Sequence, residues 1–190
     1  MNNILCSHKR QNMKKILAFA GSTSSTSINK KLATFTAENL KNTYFDVIDL
    51  RDFSMPIYSE DEEKQNGFPE DAKKFSALFD QYDGFILSLA EHNSSYAAAF
   101  KNIYDWSSRV EGNVFRDKPL LLMAASPGAR GGASVLESGI ARFSRMGAKE
   151  LLSYSFPNFY DNFKDGKIVN ASLLEDLQKK INEFETFVNQ

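Results

Sequence analysis

Apolar segments of strand length alternate with helical patterns along this chain, and the alternation constrains its fold more strongly than any other feature. The apolar segments lie at residues 15–20, 44–50, 84–90, 119–125 and 151–156. Segments with apolar residues at helical spacing lie at about residues 28–42, 69–82, 95–109, 132–146 and 172–188. Strands joined by helical crossovers pair in parallel, because the crossover returns the chain to the same end of the sheet. The sequence therefore predicts a parallel sheet with helices on both faces.

The length of the chain limits how many domains it can form. A chain of 190 residues suits one domain with a sizeable core. Five strands in this length favour a flavodoxin-like α/β fold, a doubly wound five-stranded parallel sheet of strand order 2-1-3-4-5. We expect residues 13–190 to form this single domain. Residues 1–12 are polar and precede Met13, which reads like a natural start, so we expect a disordered N-terminal extension.

The charge and the cysteine content exclude several classes of function. A formal net charge of −1 provides no basic surface for nucleic acid or for an anionic membrane. No apolar segment approaches the roughly 20 residues that span a bilayer. One cysteine cannot form an internal disulfide, and two histidines offer little for a metal cluster. These observations predict a cytoplasmic protein without a metal site, a nucleic-acid partner or a membrane partner.

The segment after the first predicted strand favours an anion site. Gly21-Ser-Thr-Ser-Ser-Thr-Ser-Ile-Asn29 is rich in hydroxyl groups and leads directly into a predicted helix. Unpaired N–H groups and the positive end of the helix dipole would point at a ligand in this loop. The loop lacks the G-K-S/T ending of a Walker loop and the glycine spacing of a dinucleotide site. It predicts a phosphate monoester ligand, although a Ser/Thr turn that only caps the helix explains the same residues equally well.

Three loops should meet at one ligand if the predicted sheet is correct. Ligands of such sheets bind outside the carboxyl ends of the strands, near the switch between the first and third strands. Unusual residues follow the third strand in Ala90-Glu-His-Asn-Ser-Ser-Tyr96 and the fourth in Ser126-Pro-Gly-Ala-Arg-Gly-Gly-Ala133. Glycine-rich backbone can approach a planar ring closely, and Asn93 can both donate to and accept from a heterocycle edge. The loops therefore favour a ligand that combines a phosphate with a ring.

These loops resemble sequence blocks of the NAD(P)H-dependent FMN reductase family, which includes flavin-dependent quinone, azo-dye and chromate reductases. The first loop is similar to the family block G-S-x-R-x-x-S-x-N. The blocks P-E-Y-N, K-N-A-x-D-W, S-x-G-x-x-G-G and L-P-x-Y/F have similar counterparts at residues 90–93, 101–106, 126–132 and 55–58. The resemblance extends in the family's order from about residue 13 to residue 190.

The resemblance implies an FMN site at these loops, with the phosphate held by Ser22, Ser27 and Asn29. The implied cofactor-binding residues are Ser22, Ser24, Ser27, Ile28, Asn29, Glu91, His92, Asn93, Ser126, Pro127, Gly128 and Gly131. Ser24 stands where the family has arginine, which removes a bidentate phosphate partner. Ala90 and His92 replace the family's proline and tyrosine. No side chain is assigned as a catalytic acid or base.

Structural explanations stay open for several of these residues. Glu91 is either part of the ring site or a surface carboxylate, and His92 either meets the ring or is a loop histidine satisfied by backbone. The pair Gly131 and Gly132 borders the ring or forms only a strand-to-helix turn. For Asn102, Asp105 and Trp106, packing of the helix or contact with a second subunit is favoured over contact with substrate.

The resemblance also implies an activity. Hydride would pass from NADPH or NADH to FMN, and a quinone, a second flavin, an azo compound or a metal oxyanion would then take the electrons in a ping-pong reaction. It further implies a homodimer or a dimer of dimers. Two other functions fit the same loops: an FMN-binding electron carrier without nicotinamide turnover, and a phosphate-ester-binding regulatory protein that has lost flavin. The net charge of −1 favours the enzyme over a carrier, since flavodoxins are usually strongly acidic.

Overall fold

A computed structural model describes residues 13–190 of the chain. Its strands are β1 (Lys15–Gly21), β2 (Tyr44–Val47), β3 (Gly84–Leu89), β4 (Glu91–His92), β5 (Ser95–Tyr96), β6 (Lys118–Ala125), β7 (Ala148–Phe156), β8 (Phe163–Lys164) and β9 (Lys167–Ile168). Its α-helices are α1 (Ile28–Glu38), α2 (Glu60–Asn66), α3 (Glu70–Leu78), α4 (Ala98–Val110), α5 (Ala133–Phe143), α6 (Phe159–Asn162) and α7 (Ala171–Val188). The expected disordered extension, residues 1–12, lies outside the described residues.

The main sheet has the predicted topology. β2, β1, β3, β6 and β7 lie side by side in that order, and every neighbouring pair is parallel. Numbered among themselves, these five strands have the order 2-1-3-4-5, so the predicted fold class is confirmed. β1, β3 and β6 are buried along almost their whole length, as expected for central strands covered on both faces. Their carboxyl ends therefore meet at one edge of the sheet.

Two apolar clusters cover the sheet, one on each face. Phe19 and Leu87 belong to the cluster that packs against α3, α4 and α5. Ala18 and Ile86, the preceding residues of the same strands, belong to the cluster that packs against α1 and α7. This alternation follows from the two-residue period of a strand. Within residues 13–190, no helix combines the length and the apolar character that crossing a membrane would require.

The sequence pattern Ser172-x-x-Glu175 predicts a capping box at the start of α7, and the structure corrects this prediction. The N-cap is Asn170, whose side-chain oxygen accepts the N–H of Leu173 at 3.2 Å. Ser172 already lies inside the helix, and the Glu175 carboxylate pairs with Lys179 one turn later. The pattern S-x-x-E was present, but an asparagine just before it caps a helix as well as serine does.

The sequence of residues 51–68 predicts a loop whose acidic run, residues 60–63, is solvated, but the segment contains the helix α2. Ser59 caps this helix, since its Oγ accepts the N–H of Glu62 at 3.1 Å. Carboxylates in the first turn are favourable near the positive end of the helix dipole. Glu63 accepts a hydrogen bond from the Tyr58 hydroxyl and forms a two-point ion pair with Arg109 of α4. The acidic run is therefore partly a structural contact between α2 and α4.

Other boundaries differ because local turns interrupt the expected elements. β2 ends before residue 50 because a 3₁₀ turn, Leu50–Asp52, begins there and is capped by Asp49. α4 begins later than predicted because β4 and β5 form a hairpin whose central residues, Asn93 and Ser94, have φ angles of 51° and 61°. Such angles suit the tight turn of a two-residue hairpin.

The block 101–106 holds a loop against α4. The Asn102 amide donates to the Pro56 carbonyl at 3.0 Å and accepts the N–H of Tyr58 at 2.8 Å. The Trp106 indole donates to the same carbonyl at 2.8 Å. Asp105 instead pairs with Lys101 on the helix surface. The packing explanation is therefore correct for Asn102 and Trp106.

Replacing Asn102 by alanine should lower the free energy of unfolding by about 1–2 kcal/mol, because two hydrogen bonds are lost and the Tyr58 N–H loses its acceptor. Asn182→Ala is the matched control, since Asn182 is exposed on α7 and both changes gain helix propensity. Urea unfolding followed by circular dichroism measures both variants. Equal stability of the two would contradict a stabilising role for Asn102.

Candidate functional site

The loops after β1, β3 and β6 meet at the carboxyl edge of the sheet, as the strand order requires. Together they line a cavity of about 230 Å³. A second cavity of about 310 Å³ adjoins it and extends to the start of α4. Ser22, Ser24 and His92 line both cavities. Small-molecule sites typically occupy roughly 300–1,000 Å³, so the combined space is large enough for one.

Most of the predicted binding residues line the first cavity. They come from all three loops and are Ser22, Ser24, Ser27, Ile28, Asn29, Glu91, His92, Ser126 and Pro127. Asn93, Gly128 and Gly131 lie outside this set, so their contact with a ligand stays a prediction. Asn93 is at the turn of the β4–β5 hairpin, and the Gly128 carbonyl accepts the N–H groups of Gly131 in its own loop and of Asn158 after β7.

The two adjacent glycines before α5 form a close turn against the sheet. Gly131 has a φ of 57°, and a Cβ there would lie 2.2 Å from the Ser155 Oγ. That hydroxyl donates to the Gly131 carbonyl at 3.0 Å. Gly132 has a φ of 76°, and its Cβ would lie 2.7 Å from the Cβ of Ala124. These contacts support the strand-to-helix turn as the reason for both glycines.

Hydroxyl groups fix the shape of the loop between β1 and α1. The Oγ atoms of Ser22 and Ser24 accept the backbone N–H groups of Ser24 and Thr26 at 3.2 and 3.3 Å. Ser27 is the N-cap of α1, and its Oγ accepts the N–H of Lys30 at 3.1 Å. A hydroxyl that accepts one such bond can still donate its own hydrogen. The loop can therefore keep its shape while it presents donors to a ligand.

The first turn of α1 leaves backbone amides available for an anion. Among residues 13–190, the N–H groups of Ile28 and Asn29 have no hydrogen-bond acceptor. They lie at the positive end of the helix dipole, beside the Ser27 hydroxyl. We call the loop 22–27 together with these two amides the cradle. Its donors suit a phosphate, and a phosphorylated ligand therefore fits the residues present.

Lys30 does not replace the arginine that the resemblance would place at Ser24. The Lys30 ammonium pairs with the Asp49 carboxylate, which also binds the guanidinium of Arg51. These hydrogen bonds, that from Arg51 foremost, hold the pKa of Asp49 well below its usual range and outweigh the effect of burial. No lysine or arginine lines the cavity beside the cradle among the described residues. The cradle thus offers neutral donors and a helix dipole to its ligand.

Asn29 holds the cradle to the sheet. Its side chain is buried, with 3% exposed. The Oδ1 atom accepts the Ser88 hydroxyl at 2.7 Å and the N–H of Ala125 at 2.8 Å, and the Nδ2 atom donates to the Ala125 carbonyl at 3.2 Å. The side-chain oxygen is therefore fully used between α1, β3 and β6. Contact of Asn29 with a phosphate stays a prediction and would use its backbone N–H.

Glu91 and His92 lie on the hairpin that faces the cradle. The Glu91 carboxylate accepts the N–H of Val135 at 3.0 Å, in the first turn of α5. Glu91 is thus not a free surface carboxylate, since it holds the hairpin to a helix end that favours negative charge. The His92 imidazole is exposed and has no hydrogen-bond partner among the described residues, which leaves it available to a ligand.

Sequence reasoning missed Tyr160, which also lines the cavity. Tyr160 lies on α6 and is 62% exposed. The preceding Phe159 donates its N–H to the Ser126 carbonyl at 3.0 Å, so α6 is held to the loop after β6. The sequence could have indicated Tyr160, because residues that follow β7 must reach the same edge of the sheet as those that follow β6.

Among residues 13–190, no group of three or more His, Cys, Asp or Glu side chains is placed to bind a metal ion.

Known proteins with similar sequences are named as FMN reductases and quinone reductases. Residues 14–161 match the family described as NADPH-dependent FMN reductase. A 2-hydroxy-1,4-benzoquinone reductase from a Burkholderia species is 35% identical over 121 residues, 63% of this chain and 64% of that protein. A quinone reductase from Escherichia coli (strain K12) is 33% identical over 79 residues, 42% of each chain. The alignments therefore span less than two thirds of either relative.

A solved structure shares the fold over nearly the whole chain. It is the flavoenzyme NAD(P)H:(acceptor) oxidoreductase FerB from Paracoccus denitrificans. The TM-score is 0.72 at 22% sequence identity, and the match covers 93% of this chain and 97% of that chain. This similarity supports the doubly wound architecture and the strand order.

Replacing Asn29 by alanine should destabilise the ligand-free protein by about 2–4 kcal/mol, because the buried Ser88 hydroxyl and the two backbone groups of Ala125 lose their partner. Ser88→Ala removes one of these bonds and should cost less, about 1 kcal/mol. Urea unfolding of both ligand-free variants measures the difference. Wild-type stability of Asn29→Ala would show that the side chain does not support the sheet edge.

Proposed function

The chain belongs to the NADPH-dependent FMN reductase family, and on this premise we propose that it is an FMN-dependent oxidoreductase. In this proposal hydride from NADPH or NADH passes through bound FMN to a small acceptor, which is a quinone, a flavin, an azo compound or a metal oxyanion. The single observation that carries the proposal is the meeting of three loops at a cavity with an anion cradle on one side.

The residues of the cradle suit the phosphate of FMN. The hydroxyls of Ser22, Ser24 and Ser27 and the free N–H groups of Ile28 and Asn29 would donate to its oxygens. The β4–β5 hairpin and the residues Ser126 and Pro127 would border the ring. When bound, FMN would supply the redox chemistry of a two-electron carrier between the nicotinamide and the acceptor; reduction of a quinone to a hydroquinone would use the proton that the hydride brings and one more from solvent.

The residues of the chain hold and orient rather than transfer protons. The Asn29 side chain fixes the distance between the cradle and the ends of β3 and β6. The bond between Glu91 and Val135 fixes the hairpin wall against α5. Because the Glu91 carboxylate already accepts this bond, we assign it a positioning role and name no side chain as general acid or base. Preorganised walls of this kind lower the entropy cost of bringing two substrates to one face.

The acceptor, the assembly and the compartment belong to the same proposal. Both curated relatives described above are quinone reductases, which supports a quinone as acceptor. A homodimer is supported by the family resemblance and by Ile57, whose side chain is 85% exposed on the loop held by Asn102. A cytoplasmic location is supported by the single cysteine, which suits a reducing compartment.

Ser27→Asp tests the assignment of the phosphate to the cradle. Aspartate still caps the helix, but it removes a donor and places a second anion beside the phosphate. Two unit charges about 4 Å apart repel by roughly 4 kcal/mol at an effective dielectric constant of about 20. Allowing for solvent screening, we expect FMN binding to weaken at least a hundredfold, about 2.7 kcal/mol. A flavin-fluorescence titration of the purified variant measures the change.

Ser59→Asp is the matched control. Ser59 also caps a helix, and its Oγ accepts a backbone N–H at the same 3.1 Å as that of Ser27, but it lies on α2 away from the cavity. This variant should bind FMN like the wild type. Circular dichroism verifies that both variants are folded. A folded Ser27→Asp protein with wild-type affinity would mean that the phosphate lies elsewhere.

Turnover separates the enzyme from an electron carrier. Under anaerobic conditions NADPH or NADH should bleach the yellow protein, and a quinone should restore the colour. Initial rates should give parallel double-reciprocal lines, because one face serves both substrates in turn. A flavin-loaded protein that neither nicotinamide bleaches would instead be the carrier, and converging lines would contradict the shared face.

A further inference from the structure

A groove of about 590 Å³ adjoins the cradle on its other side. One wall is α1, and the other is formed by α6 and the β8–β9 hairpin. Ser27 and Tyr160 line both this groove and the cavity beside the cradle. The two spaces therefore meet at Ser27, the N-cap of α1, which is part of the cradle. Nothing in the proposed reaction uses this groove.

The character of the groove changes with distance from the cradle. At 1.5 Å per residue, Lys31, Phe35 and Glu38 lie about 6, 12 and 16 Å from Ser27 along the helix axis. The groove is thus basic near the cradle, aromatic in its middle and acidic at its far end. Lys31 is exposed and, unlike Lys30, forms no ion pair within residues 13–190. Its ammonium is available to a second phosphate next to the cradle.

The middle of the groove suits a flat aromatic group. Phe35 and Phe163 line it in edge-to-face contact with each other, with ring centroids 5.7 Å apart, and Tyr160 leaves 62% of its surface exposed. Aromatic side chains of this kind stack nucleic-acid bases. Beyond them, the carboxylates of Glu38 and Asp165 line the groove. Carboxylates accept hydrogen bonds from ribose hydroxyls and from an exocyclic amine.

We propose that this groove binds the adenylate half of FAD, so that the protein accepts the dinucleotide flavin as well as FMN. FAD is FMN whose phosphate is joined to adenosine monophosphate, and a chain of atoms that leaves the cradle past Ser27 enters the groove. Along the groove, the phosphate of the adenylate would lie beside Lys31, the adenine would stack on the aromatic rings, and the ribose hydroxyls or the exocyclic amine would donate to the carboxylates beyond them. The inference rests on the proposed function, since it requires the flavin phosphate to occupy the cradle.

Parallel titrations of the flavin-free protein with FMN and with FAD test the proposal. Wild-type protein should bind FAD within about tenfold of its affinity for FMN. Thr34→Trp should fill the groove, because Thr34 is a half-buried wall residue about 10 Å along α1 from Ser27. We expect this variant to bind FAD at least tenfold more weakly and FMN less than twofold more weakly. Unchanged FMN binding also shows that the variant is folded.

The matched control is Thr186→Trp on α7, an exposed threonine outside the groove, which should change neither affinity. If Thr34→Trp does not fold, Thr34→Met makes the same test with a flexible helix former. Wild-type affinity for FAD more than about a hundredfold below that for FMN would overturn the groove assignment and leave the proposed function intact. A folded groove variant that binds FMN and FAD with equally weakened affinity would also overturn the groove assignment and leave the proposed function intact. Failure of the wild type to bind FMN would overturn the proposed function itself.

Discussion

The hydrogen bonds of one buried amide hold together the parts on which the candidate site depends. Asn29 joins the first turn of α1 to the ends of β3 and β6 through the Ser88 hydroxyl and both backbone groups of Ala125. These three elements carry the loops that line the cavity. A buried polar network in which every bond is made is rigid, because breaking any member leaves an unpaired group in a low-dielectric interior. The relative placement of the cradle and the opposite loops follows from this network.

The fold was predictable because its signals are periodic and repeated. Apolar strands separated by helices leave few topologies, and the rule for right-handed crossovers reduces them further. The meeting of three loops followed from the rule that ligands of such sheets bind outside the carboxyl ends of the strands, so the loops with Ser27, His92 and Ser126 were correctly expected to meet. What failed was local: a hairpin built on Asn93 and Ser94 and a cap supplied by Asn170 depend on single backbone conformations that no periodicity reveals.

The roles within the site were less predictable than its position. A sequence block shows that asparagine follows the hydroxyl loop, but not whether its side chain faces the ligand or the sheet. In the structure Asn29 faces the sheet, and Glu91 faces α5. Tyr160 was missed because the segment after β7 carries no recognised block, although topology alone places it at the same edge. The direction in which a side chain points is decided by its tertiary contacts, and a single sequence does not show these contacts.

The absence of lysine and arginine from the cavity beside the cradle, among the residues described, has a consequence for how a ligand would be retained. Binding that depends on surface cations releases counterions and weakens steeply as salt is added. Amides and hydroxyls at a helix end release few ions, so they hold an anion by geometry and by the exclusion of water. Occupancy of such a pocket should respond little to ionic strength. The Ser24 hydroxyl, at the position where the resemblance places a guanidinium, would thus make retention of such a ligand depend more on fit than on charge.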